Sequence, residues 1–157
     1  SPANDRGPGR AWQIDRRGDQ LRHSGYTLSE TIRGLGRLAR EWRRGAETLS
    51  KALTGSACAH AREEADNAWM CYHAFRSAWN SYRAFRLRRK WSDAKLPAYL
   101  RIARDELANV AAALPLVERD ARFGYHAECQ AYMFDAASLR RKMRLLKRQT
   151  GCPRRRH

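Results

Sequence analysis

Residues 122–128, RFGYHAE, bring a cation, two aromatic rings, a glycine, an imidazole and a carboxylate into seven consecutive positions. Glu118 and Asp120 stand just before them, and Glu106 and Asn109 lie further upstream. A carboxylate near a histidine is the raw material of general acid–base chemistry. Catalysis also needs a cleft, and usually a nucleophile, a metal or a second carboxylate at a defined distance. The chain carries no H-E-x-x-H, no G-x-S-x-G and no phosphate-cradling glycine loop. Polar groups at the corner of a helical protein commonly cap helix ends and pair with each other. Glu106, Asn109, Asp120, Arg122, Tyr125, His126 and Glu128 are therefore expected to form a polar clasp or an interface. No catalytic residue is assigned, and the chain is not expected to be an enzyme.

A second chemistry is suggested by the charge. The net charge is +16, and 27 of the 32 basic residues are arginine. Arg62, Trp69, Arg76, Arg83 and Lys90 recur every seven residues, which makes a basic flank with one indole in it. Interleaved arginine and aromatic residues are used by binders of single strands. Against that, long basic stems also lie along a helix edge and pair with acids on a neighbour. Residues 136–157 hold nine basic residues and no acid, among them Arg140, Arg141, Arg144 and Arg148. Contact with a nucleic acid or another polyanion is the alternative reading they support. A GC-rich genome would also raise arginine and alanine together.

Cysteine gives little. Cys58, Cys71, Cys129 and Cys152 are too few for a disulfide scaffold in a chain of 157 residues. Cys58/His60 and Cys71/His73 are two apart, and such side chains diverge by about 200° on a helix. Only His126/Cys129 has workable spacing, and one pair is not a zinc site. No metal and no cofactor is expected. No stretch approaches the ~18 uninterrupted apolar residues of a membrane span.

The elements that must position these residues are legible as heptads. Residues 1–26 hold four glycines and two prolines without helical period, and read as a tail or the end of a preceding domain. Thr27 and Glu30 then have capping-box spacing. Leu28, Ile32, Leu35, Ala39, Trp42, Ala46, Leu49 and Leu53 step by four and three, the seam of a helix packed along its neighbours. Gly34 and Gly36 weaken it. Gly55 suits the left-handed position after the helix, and Ser56 the next N-cap. A second seam runs Cys58, Ala61, Ala65, Ala68, Tyr72, Phe75, Trp79, Tyr82 in a helix over about 57–89. A break at 90–97 follows, with Pro97 at an early helical position. The third seam runs Leu96, Leu100, Ala103, Leu107, Val110, Leu114, Val117, Ala121. Pro115 inside it predicts a kink or break, because proline removes a backbone bond and crowds the carbonyl four residues back. The last seam runs Tyr125, Cys129, Tyr132, Ala136, Leu139, Met143, Leu146, with Asp135 placed to cap a fresh start, so that this helix comes as two pieces. Four such segments with short connections predict an all-α, up-down-up-down four-helix bundle over 27–149, with a basic tail at 150–157. No strand is expected.

The segment ELANVAAALPLVERDARFGYHAECQAYMFDAASLRRKMRLLK, residues 106–147, resembles the C-terminal helical region of large, mostly uncharacterised bacterial proteins that look like glycoside hydrolases or related carbohydrate-active enzymes. The pattern is E-x-x-N, then D-x-R-hydrophobic-G-aromatic, then His, Glu, Tyr and a final helix with a basic residue near its start. Its positions here are Glu106, Asn109, Asp120, Arg122, Phe123, Gly124, Tyr125, His126, Glu128, Tyr132 and Lys142, and Asn80 fits loosely. The resemblance implies a non-catalytic accessory module, cut from a larger protein and packed against an upstream catalytic barrel. The abundance of arginine departs from an ordinary sugar-binding surface.

Overall fold

The computed structural model describes residues 26–55, 58–126 and 131–151. Among these the chain is an all-α bundle of four helices: α1 (Leu28–Ala52), α2 (Ala59–Arg88), α3 (Leu96–Arg119) and α4 (Ala136–Gly151). The extensive helix packing follows chain order, α1 on α2, α2 on α3 and α3 on α4. Ser50, at the end of α1, meets Trp69 in the first half of α2, while Trp42, further back on α1, meets Phe75 further along α2, so the two helices run antiparallel.

The helix ends have local causes. At the start of α1 the Thr27 amide donates to Glu30 Oε2 at 2.7 Å and the Glu30 amide donates to Thr27 Oγ1 at 3.2 Å, closing the expected capping box. Gly55 follows α1 with φ +82°, the left-handed conformation that glycine adopts without a Cβ clash. Ser56 lies outside the described residues. The N-cap of α2 is Cys58, whose side chain makes no capping bond. Cys58 is exposed there and not on the core seam. Pro97 sits in the first turn of α3, as expected.

Two expectations change. First, α3 continues through Pro115 to Arg119, so of the kink or break expected there no break occurs. Proline four residues from a helix end forfeits one bond, and Val110, Ala113, Leu116 and Val117, all buried, hold the helix on both sides of it. Second, Tyr125 and Tyr132 are not helical. They form a two-rung antiparallel ladder, β1 (Tyr125–His126) against β2 (Ala131–Tyr132), with Tyr125 opposite Tyr132. Steps of four and three passed through this hairpin by coincidence. Of the two pieces expected for the last helix, the second is α4, and the described residues of the first include this ladder. Asp135 caps it: the Ser138 amide donates to Asp135 Oδ1 at 2.7 Å and the Asp135 amide donates to Ser138 Oγ at 2.9 Å.

The core departs from the simple seams in one direction. Ile32, Ala39 and Ala46 of α1 and Ala68 and Tyr72 of α2 are buried, while Phe75, Trp79 and Tyr82 are half-buried. Gly36, a weak point in the helix, lies under the Trp79 indole; a Cβ there would come within 2.9 Å of Nε1. The other side of α2, facing α3, buries His73 and Asn80, and α3 answers with Glu106 and Asn109.

Candidate functional site

Two helices therefore meet through polar side chains. Asn80 and Asn109 are the most deeply enclosed, at 1% and 2% exposure. Buried polar groups are tolerated only when hydrogen-bonded, and a buried charge only when paired as well. Both conditions are met here. Glu106 Oε1 accepts from Ser77 Oγ at 2.5 Å and from Lys142 Nζ of α4 at 2.5 Å. Its other oxygen accepts from Asn80 Nδ2 at 2.9 Å. Lys142 also reaches Ser77 Oγ at 3.1 Å. One carboxylate thus ties three helices together.

Asp105 carries a second set of bonds beside it. Asn80 Nδ2 donates to Asp105 Oδ2 at 2.8 Å, and Arg76 donates to both carboxylate oxygens. Burial opposes the charged form of Asp105, but the bonds from Arg76 and Asn80 and the nearby charges of Arg76 and Arg83 outweigh it and hold the carboxyl below its ordinary value. The same contact, with Asp105 as acceptor, raises Arg76 further above its ordinary value.

Asn109 grips His73 at two points. Asn109 Nδ2 donates to the His73 carbonyl at 3.0 Å, which leaves Asn109 Oδ1 as acceptor for His73 Nδ1–H at 2.8 Å. A carbonyl can only accept, so this bond fixes the amide orientation and, through it, the imidazole tautomer. Burial lowers the His73 pKa; the Asn109 bond and Glu106 push the other way, and Arg76 adds to the depression.

The expected site residues separate into two groups. Glu106 and Asn109 belong to this interhelical lock. Asp120 and Arg122 form the corner. Asp120 accepts the Arg122 amide at 2.9 Å and the Arg122 guanidinium at 2.6 Å, and this contact holds the Asp120 carboxyl below its usual range. Arg122 also comes within 4.0 Å of Glu63. Asp120 and Arg122 thus satisfy each other. Glu128 and the side chain of His126 lie outside the described residues. Gly124 makes the turn by close approach: a Cβ there would fall 1.8 Å from the Phe134 carbonyl oxygen, and the Met133 amide donates to the Gly124 carbonyl at 2.7 Å. What the corner leaves outward is Tyr125, 49% exposed, and Tyr132, 56% exposed, their rings edge-to-face at 5.5 Å, with Met133 exposed beside them.

The basic flank of α2 is interrupted at its centre. Trp69 Nε1 donates to Ser50 Oγ at 2.9 Å, Arg76 is held by Asp105, and Arg83 lies 4.0 Å over the Trp79 ring while donating to Asn80. Arg62 and Lys90 remain exposed at the two ends. On α4, Arg140 pairs with Glu118, while Arg141, Arg144 and Arg148 are exposed. A cavity of about 400 Å³ is lined by Arg43, Trp69, Tyr72, His73, Arg76, Ala112 and Leu116, away from Ser77, Glu106 and Lys142. Among the described residues no group of three or more His, Cys, Asp or Glu could hold a metal ion, and no helix is long and apolar enough to cross a membrane.

Sequence reasoning missed His73, Ser77 and Asp105, and reached Asn80 only through resemblance. The available signal was a polar stripe, His73–Ser77–Asn80, stepping by four and three beside the apolar seam of α2. The fold and site together define an all-α bundle locked by a hydrogen-bonded polar cluster between its helices. No protein-family model, no curated protein and no solved structure matches the chain.

Proposed function

We propose that this chain is a non-catalytic helical interaction domain that docks through the corner hairpin, as an accessory part of a larger bacterial carbohydrate-active protein. The observation that carries this reading is the contrast at the corner: Asp120 and Arg122 satisfy each other, while Tyr125, Tyr132 and Met133 stand exposed beside them. Exposed tyrosine pairs are characteristic anchors of protein interfaces, since a rigid ring buries much area at low entropic cost. The parent's carbohydrate chemistry comes from the sequence resemblance. The paired state of Glu106 and Asp105 supports a structural part for those carboxylates, because a general acid or base must keep one face for its substrate.

The test begins with the reading frame upstream of Ser1. The polypeptide it encodes there is expressed separately and titrated with this chain by calorimetry. Binding that weakens more than tenfold on Tyr125→Ala/Tyr132→Ala, with helicity unchanged, supports docking at the hairpin. Equal affinity of the double variant removes the hairpin from the reading. Hydrolysis of a glycoside by the chain alone, abolished by Glu106→Gln, overturns the non-catalytic reading.

A further inference from the structure

The solvent face of α1 carries a feature that neither the seams nor the corner account for. Arg33, Arg37, Arg40, Arg44 and Lys51 step by four, three, four and seven residues. At 3.6 residues per turn they fall within about 60° of the helix circumference, far from the buried side marked by Ile32, Ala39 and Ala46. All five are exposed. The stripe from Arg33 to Lys51 is about 27 Å long, the axial length of about eight base pairs of duplex.

The stripe differs from the flank of α2, whose central cations are held by a carboxylate or a ring. Arg37 and Arg40 have no hydrogen bond or ion pair among the described residues. Arg33 is near Glu30, whose carboxylate is already engaged by the Thr27 cap. Arg44 meets Glu41 at 3.2 Å between side chains that are 73% and 55% exposed, a contact of little energetic weight. Glu47, at the edge of the stripe, is held at 2.7 Å by Arg43 on its far side. Within the 60° of the stripe every residue is a cation, and Glu30, Glu41 and Glu47 stand at its edges.

From this geometry we propose that α1 is a nucleic-acid-binding helix that lays its arginine stripe along the phosphate backbone of duplex DNA. Arginine presents a planar fork that matches phosphate oxygens, and serial cations along one helix face follow a run of phosphates. The other extended anionic surface is a charged membrane. Helices that lie on membranes place aromatic or aliphatic residues at the edge of the cationic face to enter the headgroups. Here the residues between and beside the cations are Ser29, Gly34, Glu41, Glu47 and Thr48, and Leu38 and Trp42 lie round towards the packed side. The partner class is that of the polyanion alternative, but the residues are different, and the surface is independent of the corner hairpin.

The experiment is fluorescence anisotropy of a labelled 20-base-pair DNA of mixed sequence with the full chain, between 50 and 200 mM salt. The variant Arg33→Gln/Arg37→Gln/Arg40→Gln/Arg44→Gln is compared with Arg141→Gln/Arg144→Gln/Lys147→Gln/Arg148→Gln, which loses the same charge from α4. The α1 variant is expected to bind more than tenfold more weakly, with the salt slope reduced by about 3.6, four contacts at ~0.9 each. The α4 variant should lose less than threefold. Equal losses in both would mean that net charge alone binds, and a larger loss from α4 would place the surface there; either overturns the proposal. So does tighter binding to vesicles of phosphatidylcholine with 30% phosphatidylserine than to the DNA. Should the quadruple α1 variant lose helicity, Arg37→Gln/Arg40→Gln serves instead, since neither residue supports the described fold. Its expected slope change is about 1.8, and an unchanged slope overturns the proposal.

Discussion

Glu106 shows how much one side chain can be asked to hold. Its side chain is 8% exposed and bonded to Ser77, Asn80 and Lys142, so its removal takes a bond from three polar partners at once. Breaking a buried pair by deleting one partner costs about 3–5 kcal/mol, and the 40% exposure of the Lys142 side chain puts this one at the lower end. Glu106→Ala should therefore lower stability by about 3 kcal/mol in urea denaturation, and Glu106→Gln by less, since it still accepts a bond. A loss under 1 kcal/mol for the alanine variant would show the cluster to be dispensable. His73 adds a pH dependence whose sign follows from its lowered folded value. The unfolded imidazole binds its proton first as pH falls through about 6.5, so acid favours the unfolded chain. The contribution is fully present above the unfolded value and is lost as pH falls towards the folded one. The urea midpoint should drop between pH 7.5 and 5.5, and the drop should shrink in His73→Gln. Asp105, whose folded value is also lowered, adds a second loss of stability below about pH 4.

At the scale of elements the corner is the most demanding part. Gly124 touches the Phe134 backbone so closely that no side chain fits without opening the turn. Gly124→Ala should destabilise by at least ~2 kcal/mol and abolish the close Tyr125–Tyr132 ring contact, visible in near-ultraviolet circular dichroism. Native stability and an unchanged aromatic spectrum would contradict the packing described. The helices themselves were legible because apolar heptads, the Thr27/Glu30 box and Gly55 each act through local chemistry that one sequence displays. The lock was not. A polar residue at a buried position looks the same in sequence as one in water, so Glu106 and Asn109 read as part of the corner although they sit on the far side of α3. The hairpin was hidden for a related reason: two short rungs offer no period of two, and Tyr125 and Tyr132 are seven apart, a helical interval. Pro115 left open whether the helix would break, and buried residues on both sides of it keep the helix continuous.

For the whole molecule, the positive charge is distributed with consequences. Between helices, cations are matched to carboxylates: Arg76 to Asp105, Lys142 to Glu106, Arg119 to Asp66. On the outer faces of α1 and α4 most are exposed to solvent. Exposed charges are screened by salt within about 8–10 Å, whereas partly buried pairs are screened much less. Raising salt should therefore weaken any polyanion contact far more than it weakens the fold. Melting followed at 50 and 300 mM salt should move by only a few degrees while DNA affinity falls by orders of magnitude; parallel changes would mean that the exposed charges also hold the bundle together.

The position of α4 at the end of the packing order carries a further consequence, one of time. It has no fully buried residue, and its hold on α3 includes the long arms of Arg140 and Lys142. Segments with few buried contacts open locally, without global unfolding. Amide protons of α4 should exchange with solvent ahead of those of α2 and α3, and neutralising Lys142 should hasten them further while leaving α1 unchanged.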